Sequence, residues 1–255
     1  MNEDFKINLG KELASFSYDP VKLDKGYANQ TLQIDLGKNQ IETKPVSDQM
    51  KEIFIGGKGF DLKLLWDLVN DDTKWDSDEN AICISSGPLG GTTSFPGSGK
   101  SLVTAISPLT NVVIDSNVGG HFGPFLKFSG FDAMAITGKA EKDVMVFIDG
   151  VENQVSIREM NATCGDAHLI CNKLTEQLAP NKYDRQYISV VAAGSGADHT
   201  YFGILNFSYY DWRRKEARYK QAGRGGIGTV FRDKKMLALA IRCDKWKPDW
   251  SITAG

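Results

Sequence analysis

Clustered glycines constrain this chain more than any other feature of its sequence. They fall at Gly56, Gly57 and Gly59; at Gly87, Gly90 and Gly91; at Gly97 and Gly99; at Gly119, Gly120 and Gly123; and at Gly223, Gly225, Gly226 and Gly228. Glycine adopts positive φ without steric cost and lets backbone come close to a ligand, so each cluster marks a sharp turn or a contact surface. The 26 glycines among 255 residues exceed the usual share, which is about 7%.

Between the clusters the apolar pattern predicts alternating kinds of element. TLQIDL (Thr31–Leu36) alternates as a half-buried strand, and KNQIETKPV continues from it across a Gly-Lys-Asn turn as a hairpin. Phe60, Leu64, Leu65, Leu68 and Val69 recur at helical spacing, predicting a helix from near Lys58–Phe60 to Asn70. AICISSG, SLVTAIS and NVVIDSN read as strands, and GGHFGPFLKFSG as a short helix opened by glycine. Residues Ala133–Ile157 carry three strands, with Asp149–Gly150 a hairpin signal. Asp166 caps a helix running to Leu178, with Ile170, Leu174 and Leu178 on one face. ISVVAAGS, FGILNFS and MLALAIR resume the strands, while RRKEARYK (Arg213–Lys220) reads as a polar, solvated or phosphate-facing helix. This order gives an α+β fold in one domain over residues 26–245, with an N-terminal extension at 1–25 and a C-terminal tail at 246–255.

Composition excludes several function classes. With 30 basic and 32 acidic side chains there is no basic excess for nucleic acid. Cys83, Cys164, Cys171 and Cys243 lack zinc or redox spacing and read as reduced thiols of a cytoplasmic protein. The acidic N-terminus is unlike a signal peptide, and no apolar run approaches the roughly 20 residues of a membrane span.

Three glycine loops carry cations, and each has two readings. FPGSGKS (Phe95–Ser101) imitates a nucleotide-hydrolase phosphate loop, but the first glycine of that motif is replaced by Ser94 and the following SLVTAIS is extended rather than helical. Its exposed N–H groups and Lys100 still suit an anion. In SNVGGHFG a glycine pair opens a helix, which is either a tight turn or an anion site. Asn117 before it is either a turn residue or an oxygen ligand for a hard cation, and His121, within the glycine loop, is either a ligand contact or, the preferred reading, a satisfied structural histidine. In KQAGRGGIG, Lys220 and Arg224 stand among Gly223, Gly225, Gly226 and Gly228, as a flexible basic loop or a phosphate grip. Three such loops in one domain point to a large ligand with more than one phosphate. No nucleophile–base pair or metal-ligand cluster is evident.

The same loops, in this order, resemble the aldehyde ferredoxin oxidoreductase family. The resemblance rests on FIGGKGFDLKLL (Phe54–Leu65), SGPLGGT (Ser86–Thr92), SPLT (Ser107–Thr110), SNVGGHFGPFLKFSGFDAMAITGKAEKDV (Ser116–Val144) and AGRGGIG (Ala222–Gly228), and runs from about Gly26 to Ile241. It implies an N-terminal domain built from duplicated β-β-β-α-β-β-β units forming mixed sheets. It further implies a tungsten (or molybdenum) bis-pyranopterin cofactor whose phosphates a magnesium ion bridges. By that resemblance Lys100, Asn117, Gly119, Lys220, Gln221, Gly223 and Arg224 bind cofactor, with Asn117 and the carbonyl of Gln221 on magnesium. Lysine stands at positions 100 and 220 where the family usually has arginine, which keeps charge and loses bidentate geometry. An apparent insertion lies around Tyr209–Arg218.

Family members are more than twice this long, and their later domains carry a [4Fe–4S] cluster and the residues near the metal. The resemblance therefore implies a cofactor-binding subunit of a split enzyme. A second subunit would carry the cluster and catalytic domains, and aldehyde oxidation would pass electrons to ferredoxin. The alternatives are a subunit of a tungsten-dependent aromatic acyl-CoA reductase, or a non-enzymatic pterin-cofactor carrier or assembly protein.

Overall fold

A computed structural model describes residues 5–92, 97–163 and 165–244. The tail at 246–255, Cys164 and the Phe95–Pro96 start of the first cationic loop lie outside them.

Thirteen described strands form two mixed sheets. The six-stranded sheet contains β2 (Gln30–Asp35), β3 (Gln40–Pro45), β4 (Ile82–Ser85), β5 (Ser101–Ile106), β6 (Val113–Val118) and β7 (Ala133–Thr137), in the order β3-β2-β7-β4-β5-β6. The seven-stranded sheet contains β1 (Ile7–Ser17), β8 (Val144–Asp149), β9 (Gln154–Ala162), β10 (Ile188–Ala192), β11 (Leu205–Asp211), β12 (Glu216–Ala222) and β13 (Met236–Arg242), in the order β1-β9-β8-β13-β10-β11-β12. Apart from β1 the two orders correspond strand for strand. Even the single parallel contacts match, β2 with β7 and β8 with β13.

The helices repeat as well. α1 (Asp48–Phe54) and α2 (Lys58–Leu68) follow β3, and α3 (Phe122–Phe128) follows β6. α4 (Ala167–Leu178) follows β9, and α5 (Ile227–Asp233) follows β12. The duplication is therefore present, each unit placing helices after its second and fifth strands. Alternation explains the layers, because successive strand residues face opposite ways. Ile82 and Ile84 join a core shared by both sheets with Phe122, Phe125, Phe207 and Phe231, while Cys83 packs outward with Phe60, Leu64 and Leu65 of α2. In the second unit Val191 faces the shared core, and Val190 packs outward with Ile170 and Leu174 of α4. Each such fully buried side chain contributes about 1.5–3 kcal/mol.

Three local expectations change. The segment read as an extension contains β1, whose outward residues are largely solvated and whose apolar pattern is correspondingly weak; it pairs antiparallel with β9. Arg213–Lys220 is not a helix: it is the turn and much of β12, in a hairpin that matches Tyr209 with Arg218 and Phe207 with Lys220. Asp211 Oδ1 accepts the N–H groups of Arg213 and Arg214, both at 3.1 Å, and Lys215 turns at φ 55, so local turn chemistry overrides the helical propensity of the charges. The last glycine cluster opens α5 rather than remaining a loop.

Candidate functional site

The edge strands of the two sheets, β6 and β12, lie in contact, and the glycine loops gather where they end. β6 runs into Gly119-Gly120-His121 and then α3, while β12 runs into Gly223-Arg224-Gly225-Gly226 and then α5. Duplication therefore brings equivalent turns together. Asn117 and Gln221 are the penultimate residues of their strands, and His121 and Gly226 are the N-caps of the helices that follow.

Each loop is fixed to the next. The pairing of Ser101 with Val118, continued by one residue, sets Lys100 across from Gly119. A Cβ on Gly99 would stand 2.9 Å from the Gly120 carbonyl oxygen, so the first loop lies closely against the second. The Arg224 N–H donates to Ser116 Oγ at 3.2 Å, anchoring the third loop to β6. A Cβ on Gly119 would lie 3.7 Å from Lys220 Cγ, so the second loop faces the lysine stem across the seam. The start of α2 closes one side, with Lys58 Nζ 2.5 Å from Asp115 Oδ1.

Of the residues expected at a ligand, Lys100, Asn117, Gly119, Lys220, Gly223 and Arg224 are brought to this seam. Gln221 stands on it in backbone only: its amide Nε2 donates to Asn206 Oδ1 at 3.3 Å, an acceptor that also lies 3.3 Å from His168 Nε2. Alternation along β12 explains the divergence from Lys220.

The chemistry of the seam is cationic and unpartnered. Lys100, Lys220 and Arg224 are exposed and make no ion pair among the described residues, whereas the neighbouring Arg214 and Arg218 are held by Asp211 and Glu216. Asn117 is exposed with no side-chain hydrogen bond among the described residues, and Gly223 has open space where a Cβ would stand. Three free cations, a free amide oxygen and a bare glycine fit a phosphorylated ligand with a bound hard cation. No group of three or more His, Cys, Asp or Glu suited to a metal occurs among the described residues.

Three buried titratable side chains brace the surrounding fold. Lys127 of α3, 1% exposed, donates through Nζ to the Gly87 carbonyl, and burial draws its pKa down to about 8. Asp132 accepts the N–H groups of Ala28 and Asn29, both at 2.8 Å, while burial pushes its pKa upward. Asp61, fully buried beneath β5, accepts from Thr104 at 3.1 Å, and desolvation lifts its pKa well above the carboxylate range.

Sequence reasoning missed Ser116, which anchors the third loop, and its preferred reading of His121 as a fully satisfied histidine does not hold at Nδ1. The His121 ring lies 4.9 Å from the ring of Tyr209 and 5.5 Å from that of Phe125, and its Nδ1 is buried with no partner. Its position within a glycine loop was the available signal. The phosphate-loop imitation is excluded, because Ser101–Ile106 is a strand. No described helix is long and apolar enough to cross a membrane.

Comparison with known proteins follows this geometry. The family described as aldehyde ferredoxin oxidoreductase, N-terminal domain, matches residues 31–243. A tungsten-containing aldehyde ferredoxin oxidoreductase of Pyrococcus horikoshii is 30% identical over 227 residues, covering 86% of this chain and 34% of the relative. The aliphatic sulfonate oxidoreductase, WOR-like subunit, of Pyrococcus furiosus is 32% identical over 138 residues, covering 52% of this chain and 21% of the relative. Among solved structures, the active-site complex BamBC of benzoyl coenzyme A reductase, in complex with 1,5-dienoyl-CoA, aligns with TM-score 0.71 and 27% identity over 85% of this chain and 31% of that one. The chain thus spans about a third of the length of the Pyrococcus horikoshii relative and of the benzoyl coenzyme A reductase chain.

Proposed function

This chain belongs to the family of aldehyde ferredoxin oxidoreductase N-terminal domains, and we propose that it is the cofactor-binding subunit of a split tungsten (or molybdenum) bis-pterin oxidoreductase. The observation that carries this reading is the duplication: equivalent turns from two equivalent units meet at one cationic seam, which suits a ligand with two similar phosphorylated halves.

Lys100 and the Gly119 turn would hold one half, and Lys220, Gly223 and Arg224 the other. The lysines neutralise phosphate as point charges, and the bare glycines let backbone N–H groups approach. Asn117 through its amide oxygen and Gln221 through its carbonyl would share a magnesium ion between the halves, as their equivalent strand positions favour. When bound, a tungsten dithiolene centre supplies two-electron redox chemistry. A partner polypeptide would carry the [4Fe–4S] cluster and the catalytic side chains. Oxidation of an aldehyde to a carboxylate, with water supplying the added oxygen, protons released to solvent and two electrons leaving through that cluster to ferredoxin, is the reaction this reading assigns to the complex.

A second reading, a subunit of an aromatic acyl-CoA reductase, draws on the structural likeness to the benzoyl coenzyme A reductase complex. Both readings share the cofactor. Oxidative extraction and quantification of pterin from the native complex tests them together: about two pterins per chain is the expected yield. Protein free of pterin sinks the proposal.

A further inference from the structure

The two half-sites are not identical, and their difference lies at the helix caps. Gly226 caps α5 without a side chain, whereas the equivalent cap of α3 is His121. The imidazole adjoins the seam: Gly120 beside it lies against the first loop, and Tyr209, whose ring is tilted against it at 4.9 Å, belongs to the hairpin that carries Lys220. A Cβ on Gly120 would lie 3.6 Å from Tyr209 Cδ1, an ordinary contact, and it is the backbone φ of +112 that calls for glycine there.

Its nitrogens are unequal. Nδ1 is buried and faces neither donor nor acceptor, so a proton there would be stranded without a partner. The proton is therefore favoured on Nε2, the remaining nitrogen of a part-exposed ring. Desolvation also lowers the His121 pKa from 6.5, opposed by Asp211, which favours the neutral ring at physiological pH.

We propose that His121 is a ligand-contacting residue whose neutral imidazole donates an Nε2–H hydrogen bond to an oxygen or nitrogen acceptor of the bound cofactor, marking one half of the duplicated site as distinct from the other. This rests on the cofactor-binding reading above. It assigns His121 a role that none of the three unpartnered cations fills: a neutral donor that orients the ligand without adding charge.

Two measurements test it. Nitrogen-15 NMR of the imidazole rings in the purified chain should show the Nε2–H tautomer for His121 near pH 7, before any cofactor is added. Tungsten content should then be compared among chains produced in tungstate-supplied native cells as wild type, H121Q and H121F. Glutamine places an amide donor near the Nε2 position, while phenylalanine keeps an aromatic ring against Tyr209 and removes the donor. The expected result is H121Q within about twofold of wild type and H121F lower by about fivefold or more, at matched melting temperature. An Nδ1–H tautomer, or H121F with wild-type tungsten, overturns the assignment of His121 alone. Wild-type chain without tungsten overturns the cofactor-binding reading and this assignment with it.

Discussion

A side chain at Gly225 would strike Ile114 at 2.4 Å, and the backbone there sits at φ +73. Gly225→Val therefore combines overpacking with left-handed strain, a cost of about 2–4 kcal/mol. For a domain of this size that lowers Tm by roughly 5–15 °C in calorimetry, and it detaches the third loop from β6. Lys220→Glu is the converse case: the side chain is exposed and unpaired, so Tm should move by no more than about 2 °C while tungsten content falls at least several-fold. Equal tungsten in Lys220→Glu and wild type would remove Lys220 from the site. The buried lysines predict a pH effect. Burial draws Lys127 and Lys234 to about 8 from 10.5, so above about pH 8 the unfolded chain holds more protons than the folded one and stability rises with pH. Cys171, pushed up to about 12 from 9.0 by burial, acts oppositely: above about pH 9 the fold retains a proton the unfolded chain sheds, and stability falls. Melting curves should thus rise between about pH 8 and 9, with a shallower rise in Lys127→Met. A flat or falling wild-type profile over that interval contradicts the account. Lys100, Lys220 and Arg224 were legible in the sequence because glycine and cations share short loops. The unpartnered Nδ1 of His121 was not, since only packing shows it.

Strands and helices were legible where one period dominates. The helix capped by Asp166 is present, with the Asp166 side chain accepting from the N–H groups of His168 and Leu169. The α2 region and the β2–β3 hairpin also stand where their patterns place them. β1 and β12 were not legible, for the same reason at opposite ends of one sheet: both are edge strands with mostly solvated side chains, so little apolar alternation marks them. The two strands should also differ in consequence. β1 lies outside the duplicated units and far along the sheet from β12, so removing residues 1–19 uncovers the β9 edge and lowers Tm without abolishing tungsten binding. Loss of tungsten from such a truncated, still folded chain would mean that the site depends on more than the seam.

At the scale of the whole molecule, duplication is the organising fact. Two units with the same strand order share one core, put helices on both outer faces, and bring their equivalent edge strands together. The seam is thereby built from residues 100 to 224, more than a hundred positions apart, which periodicity within one segment does not reveal. Among the described residues the seam holds no group of three or more His, Cys, Asp or Glu suited to a metal. The most direct measurement is the distribution of tungsten and iron between the polypeptides of the native complex after gentle separation under anoxic conditions. The account predicts about one tungsten for each copy of this chain and about four irons confined to a second polypeptide. A native complex without tungsten, or this chain recovered alone with no iron-bearing partner, would contradict it.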